Sequence, residues 1–422
     1  MRWAIAITML AELTLATVGC SDKTERRNKP ESQQSQSATS PEKAAALALQ
    51  AREAVPESPS FPIRNRIELT LAPIDVAVKA LKEDPEPNRH VLLSDAQLCH
   101  PAVQKALVQG ATRLTVEVLA TTGHKGALWP CLKAVHQPLV SLQLPTTATD
   151  ADLKFIGGVN GLEVLSLWET TVTDTGLAHL APLKNLHTLN LGNAYGLTHQ
   201  NKTTFTPTPI TDAGLAHIAA MPALKTLALC DVKITDAGLT HIAQSKSLQH
   251  LDLMRTPITD AGLTTLTSMR KLRSLNLFGT AITDRGIETI ATIQTLRDLN
   301  IGGTTVTDAG LKPLGTLKAL RTLSLSQTTG IGDAGLANLA PLQSLEELWI
   351  HGTPITDAGL VHLTALKGLK VLSIQGDHLT DAAIPHLVRL TWLKKLDLDG
   401  PKLTDAAWNT LWDKLPHVEI RR

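Results

Sequence analysis

Residues 258–281 read "ITDAGLTTLTSMRKLRSLNLFGTA", and the next residue begins the same phrase again. The hexapeptide "ITDAGL" also stands at 210–215, 234–239 and 355–360, with "ITDRGI" at 282–287 and "VTDAGL" at 306–311. A second phrase, L-x-x-L-x-L, begins at Leu162, Leu186, Leu224, Leu248, Leu272, Leu296, Leu320, Leu345, Leu369 and Leu393. Most of these starts are 24 residues apart, one coil is longer by fourteen residues and another, near Gly330, by one. Alternation of L-x-L gives a short strand, and the leucines after T-D-A-G-L shift to helical spacing. One strand and one helical segment per 24 residues is the mark of a stacked repeat array, in which no coil can bury its own apolar face alone.

The unit resembles the leucine-rich repeat over roughly 360 residues. Among its subclasses it is most similar to the T-D-x-G-L type found in bacterial envelope and effector proteins and in the cysteine-containing repeats of F-box proteins. The resemblance implies an α/β solenoid, a curved right-handed coil with a parallel sheet on the concave face and short helices on the convex face. This sequence carries Thr256, Thr280, Thr304, Thr328 and Thr353 where many subclasses carry Asn or Cys. Those hydroxyls are expected to form a ladder to backbone groups.

Strand-like segments at 67–71, 90–98, 114–119 and 139–153 continue the array toward the N-terminus, and 418–420 supplies a last strand. The expected organisation is a signal peptide at 1–20, a disordered tether with a possible short helix at 21–61, degenerate N-terminal repeats or a cap at 62–138, and regular repeats at 139–422. An insertion interrupts the repeats at 192–209. Some fourteen coils are expected, with a separate cap domain over 62–135 as the alternative.

The first residues, "MRWAIAITMLAELTLATVGCSDK", have one basic residue, an apolar run and small residues ending at Cys20. That is the layout of an export signal, and Ala4 to Gly19 is short for a bilayer span. "TVGC" resembles a bacterial lipobox, although Thr17 stands where Leu is usual and Glu12 interrupts the run. Lipidation at Cys20, an ordinary cleaved signal and an uncleaved anchor are all compatible with it. The expected location is the bacterial envelope, with the membrane reached only through the lipid, or a secreted or periplasmic soluble state. The sequence leaves open whether Cys99 and Cys131 pair across early coils, in which case Cys230 would be left free.

Lys and Arg number 40 against 39 Asp and Glu, and 3% of residues are aromatic. Neither an overall basic field nor a base-stacking platform is present, so nucleic acid is not an expected partner. The Asp column (Asp150, Asp174, Asp212, Asp236, Asp260, Asp284, Asp308, Asp333, Asp357, Asp381, Asp405) precedes the helical leucines, where a carboxylate caps a helix N-terminus. Periodic Asp also holds calcium in other solenoids, but those sites cluster Gly and Asp in tight loops. The Gly two residues on lets neighbouring coils approach closely. His179, His217, His241, His362 and His386 share a helical column interrupted by Thr265, Thr289, Pro313 and Asn338, and they read as convex-side residues rather than ligands. No metal and no cofactor are expected.

In an L-x-L strand the intervening side chains face away from the core. On that face Trp168, Met254, Phe278 and Trp349 are expected as exposed anchors among small polar residues, the kind of group interfaces use. His250, Asp252, Asn276, Asp298, Asn300, Glu347 and His351 complete the candidate binding set. A catalytic triad is disfavoured, because Ser274 would lie between His250 and Asp298, whereas the base must lie between nucleophile and acid. The expected function is a non-enzymatic, monomeric scaffold binding a protein or peptide. A structural or adhesive envelope component, or a substrate adaptor like the F-box relatives, are the alternatives.

Overall fold

A computed structural model describes residues 66–68, 74–83, 88–109, 111–119, 129–133, 135, 138–192, 208–375, 378–399 and 402–421. Cys20, the leader, the tether and residues 193–207 of the insertion lie outside the described residues.

The repeated L-x-L phrases form the strands of one parallel sheet. Its first members are β1 (Arg66–Glu68), β2 (Asn88–Ser94), β3 (Arg113–Leu119), β4 (Leu139–Gln143) and β5 (Val164–Ser166). Then come β6 (Thr188–Asn190), β7 (Thr226–Ala228), β8 (His250–Asp252), β9 (Ser274–Asn276) and β10 (Asp298–Asn300). Last are β11 (Thr322–Ser324), β12 (Glu347–Trp349), β13 (Val371–Gln375), β14 (Lys395–Asp399) and β15 (Glu419–Arg421). Spatial order equals sequence order through all fifteen, one more strand than the expected coil number. The fourteen-residue insertion leaves the register intact, since Leu189 still pairs with Leu227.

The leucines of each strand and of each following helical turn interdigitate into one core running the length of the array. Leu248, Leu251, Leu253, Ile258, Leu263 and Leu266 supply a single coil's share, and all are almost fully buried. Several helical turns are α-helical, such as Asp260–Leu266, while Asp357–Ala365 is a tighter 3₁₀ turn. No helix among the described residues is long and apolar enough to cross a membrane.

The Asp column has a different role from the expected one. The residue at the helix N-cap is the Thr before each Asp; Thr259, for instance, accepts a bond from the Ala261 N–H at 3.3 Å. The Asp occupies the first helical position and reaches sideways. Asp236 accepts from the Thr259 N–H at 2.9 Å and from its hydroxyl at 2.6 Å, one coil onward. The same two bonds link Asp260 to Thr283, Asp284 to Thr307 and Asp333 to Thr356. Where the one-residue insertion replaces Thr by Gly332, only the backbone bond from Gly332 to Asp308 survives. The Gly column follows from this clamp: a Cβ on Gly262 would overlap Asp236 Oδ1.

The Thr column is also more local than a ladder. Thr256, Thr280, Thr304 and Thr353 donate to the carbonyl three residues back in their own coil. Thr328 alone among these five reaches the preceding coil, at Ile301 O. Cys99 and Cys131 form a disulfide, and Cys230 is free and buried.

Candidate functional site: the open sheet face

Three columns of side chains run across the open face. In the first, His250 pairs in register with Ser274 and Ser274 with Asp298. Ser274 therefore separates the acid from the imidazole, the order that does not make a relay. Glu347 lies further along the same column, two strands beyond Asp298. Among the described residues no group of three or more His, Cys, Asp or Glu is placed to hold a metal.

The second column is Asp252, Asn276, Asn300, Ser324, Trp349. Asn276 Oδ1 accepts from the Phe278 N–H at 3.1 Å and Asn300 Oδ1 from the Gly302 N–H at 3.0 Å. Asp252 stands in for an Asn, accepting from Met254 N–H at 3.0 Å. These side chains close the turn at the end of each strand, which is why Asn276 and Asn300 are buried. Burial pushes the Asp252 carboxyl up to about 6, against a smaller opposing effect of the Met254 N–H. Burial likewise depresses the neighbouring His250 to about 4. Asn300 Nδ2 and His250 Nε2 are buried with no hydrogen-bond partner.

The third column corrects the expectation of protruding anchors. Cys230, Met254 and Phe278 pack on one another as a separate small cluster, 3%, 2% and 8% exposed. Trp349 is buried as well, and Trp168 is half-buried with its indole N–H unbonded. The reason is strand spacing. Adjacent parallel strands lie about 4.8 Å apart, so Cys230, Met254 and Phe278 stand side by side in consecutive coils and cover each other. A Cβ on Gly302 would crowd the Phe278 ring at 2.8 Å, so the glycine opens room for it. His351 stays half-buried, with Nε2 2.8 Å from Ser373 Oγ.

Immediately beyond the third column the chain turns through a left-handed residue in coil after coil. Glycine fills it at Gly279, Gly303 and Gly352, but Glu169, Asp231, Arg255 and Gln327 also adopt φ between 53° and 61°. A non-glycine residue pays for that conformation. At two adjacent coils the pair is charged and mutually satisfied: Arg255 Nε and Nη2 donate to Asp231 Oδ1 and Oδ2 at 2.6 and 2.5 Å. Its guanidinium also reaches Cys230 Sγ at 3.6 Å. Burial raises the Cys230 thiol well above its ordinary value, with Asp252 and Asp231 adding to the effect. The ion pair therefore rims the apolar cluster. Its sequence signal was two opposite charges one period apart, invisible without the knowledge that position 24 residues on is the spatial neighbour.

A second feature, a depression of about 240 Å³, is lined by Thr329, Gly352, Thr353, Pro354, Gln375 and His378. It lies beside the coil lengthened near Gly330.

A family model described as Leucine Rich repeat matches residues 244–266, 268–291 and 292–315. Among solved structures, an internalin, InlF, from Listeria monocytogenes is 23% identical, covering 76% of this chain and 82% of its own, with a TM-score of 0.49. A leucine-rich-repeat protein from Leptospira interrogans is 18% identical, covering 83% and 98% respectively, with a TM-score of 0.46. No curated protein matches the chain in sequence. The matched segments are three consecutive periods of the array, and the strand register extends the same unit to either side. The chain carries leucine-rich repeats and folds as an open leucine-rich-repeat solenoid.

Proposed function

We propose that this chain is a non-enzymatic recognition scaffold whose concave sheet binds a protein or peptide, and that it is exported and held at a bacterial envelope through a lipid on Cys20. The observation that carries the binding reading is the open face. Helical turns close one side of the sheet, while His250, Asp298, Glu347 and His351 remain partly accessible on the other. Small side chains such as Thr188 and Ala228 leave that face low around the Cys230–Met254–Phe278 cluster and the Asp231–Arg255 pair. Recognition there works by shape and a few polar contacts, since the large apolar groups are already covered. The Cys99–Cys131 disulfide supports export, because such bonds persist in oxidising compartments.

The test pairs two measurements. Tyrosine at two half-buried small positions, Thr188→Tyr with Ala228→Tyr, raises side chains from the face without touching the core. Immobilised wild-type protein should capture a specific partner from detergent-solubilised envelopes, and the double variant should lose it while melting at an unchanged temperature. Equal capture by both proteins removes the face from the account. Mass analysis of the mature N-terminus should find a lipidated Cys20; an uncut chain with Cys20 unmodified overturns the location.

A further inference from the structure

The residue just before each strand lies on the rim of the sheet, and one stretch of this rim is strongly charged. Lys225, Gln249, Arg273, Arg297 and Arg321 are joined in sequence by backbone bonds of 2.7–2.8 Å, each N–H donating to the carbonyl of the residue before it in the row. Their side chains therefore leave the backbone at strand spacing, about 4.8 Å apart. The five helix-to-strand connections they belong to (221–225, 244–249, 267–273, 291–297 and 315–321) contain eight Lys or Arg residues and no Asp or Glu. All four charged members of the row are exposed.

Like charges side by side on paired strands destabilise a sheet. Arg321 is relieved by Glu346, which follows it in the row at 2.9 Å and which also pairs with Lys370 at 3.0 Å. Arg273 and Arg297 enter no ion pair among the described residues, and the carboxylates nearest to them in sequence are Asp284 and Asp298 respectively. Arg273 and Arg297 are therefore a cost to the fold that the Glu346 end of the row does not offset, on a protein whose net charge is only +1.

We propose that the rim of Arg273, Arg297 and Arg321 binds an extended acidic segment of a partner polypeptide. Guanidinium groups match carboxylates in a planar fork. Side chains on one face of an extended peptide recur at about 6.6–6.8 Å, a spacing within reach of arginine stems that start closer together and splay through mutual repulsion. The five connections contain no aromatic residue, so nothing there stacks on bases. Their larger apolar side chains, Met221, Met269, Ile293 and Leu317, are buried beneath the rim and do not offer insertion into a bilayer. The inference does not depend on the concave face binding anything.

Fluorescence anisotropy with a labelled decaglutamate peptide tests it on the full chain. Wild type should bind, with affinity falling steeply between 50 and 300 mM NaCl. The triple variant Arg273→Gln, Arg297→Gln, Arg321→Gln should bind at least tenfold more weakly and melt no lower than wild type. A charge-matched control, Lys105→Gln, Lys154→Gln, Lys402→Gln, alters exposed lysines elsewhere and should bind within twofold of wild type. The concave-face variant Thr188→Tyr, Ala228→Tyr should also bind normally, which separates this inference from the proposed function. No binding of decaglutamate, equal losses in the triple variant and the control, or rim-dependent binding of phosphatidylglycerol vesicles without peptide binding each overturn it.

Discussion

At the scale of single residues the array is held by a contact that spans coils. Asp236 satisfies the backbone N–H and the hydroxyl of Thr259, and that hydroxyl in turn caps the next helix through Ala261 N–H. Removing the carboxylate in Asp236→Ala leaves both donors to water and should cost about 1–2 kcal/mol, the scale of one or two partly exposed hydrogen bonds. Asp236→Asn keeps an acceptor for the backbone N–H and should cost about half as much. Urea denaturation of the two variants measures the difference, and equal losses would show that charge rather than the bond geometry matters. The coil at Ala383 indicates how a methyl group is accommodated in the Gly position. There Asp357 still bonds Thr380 at 2.9 and 2.7 Å, and beside Ala407 Asp381 still bonds Thr404 at 2.8 Å through both donors, at the start of the α-helix Asp405–Lys414. Gly262→Ala should therefore keep the clamp and cost about 1 kcal/mol net, crowding of Asp236 Oδ1 by the methyl being partly offset by the better helix propensity of Ala, read in the same urea titration.

At the scale of the strand, β8 places two titrating groups side by side on one face with opposite shifts. Asp252 is raised by burial to about 6, so between its ordinary 3.8 and 6 the native state binds more protons than the unfolded chain. That contribution to stability falls as pH rises through the window. His250 is depressed by burial to about 4 from its ordinary 6.5, so between 4 and 6.5 the unfolded chain binds more protons. That contribution falls as pH drops. Each slope is at most about 1.4 kcal/mol per pH unit, and they oppose one another over pH 4–6. Relative to wild type, Asp252→Asn should lose stability on acidification from pH 6 to 4, and His250→Gln should gain it. Urea midpoints at pH 6, 5 and 4 for the three proteins give the comparison, in which all other titrating groups cancel; parallel curves would mean the two groups are solvated. The strand also marks where sequence reading stops. Period-2 alternation correctly put Met254, Phe278 and Trp349 on the open face, but facing away from the core is not the same as being exposed. Whether a face side chain is covered depends on its neighbours 24 residues away, and the Met254–Phe278 contact and the Asp231–Arg255 clamp are properties of adjacent pairs rather than of either residue.

At the scale of the whole molecule the architecture was legible because it is local and repeated: a 24-residue period fixes strand, turn and helix, and identical coils can only stack in order. The Asp–Thr clamp was harder to read, since a Thr-Asp pair before a helix satisfies the capping pattern equally well whichever residue supplies the cap. Nearest-neighbour stacking also has a mechanical consequence, because in such an array a local lesion weakens the coils beside it and leaves distant ones intact. The Cys99–Cys131 disulfide joins the turn after β2 to the segment before β4, closing a loop of 32 residues. Chain-entropy arguments assign a loop of that length a stabilisation of about 3–4 kcal/mol. All of it should be felt in the N-terminal coils. Hydrogen exchange on Cys99→Ser, Cys131→Ser should therefore show protection falling at the amides of β2 and β3, with β4 less affected. The amides of β8 to β12 should exchange as in wild type, because each of those coils is clamped on both sides by its own Asp bonds and shares no contact with the broken link. A uniform loss of protection along the sheet would instead mean that the solenoid unfolds as one cooperative unit.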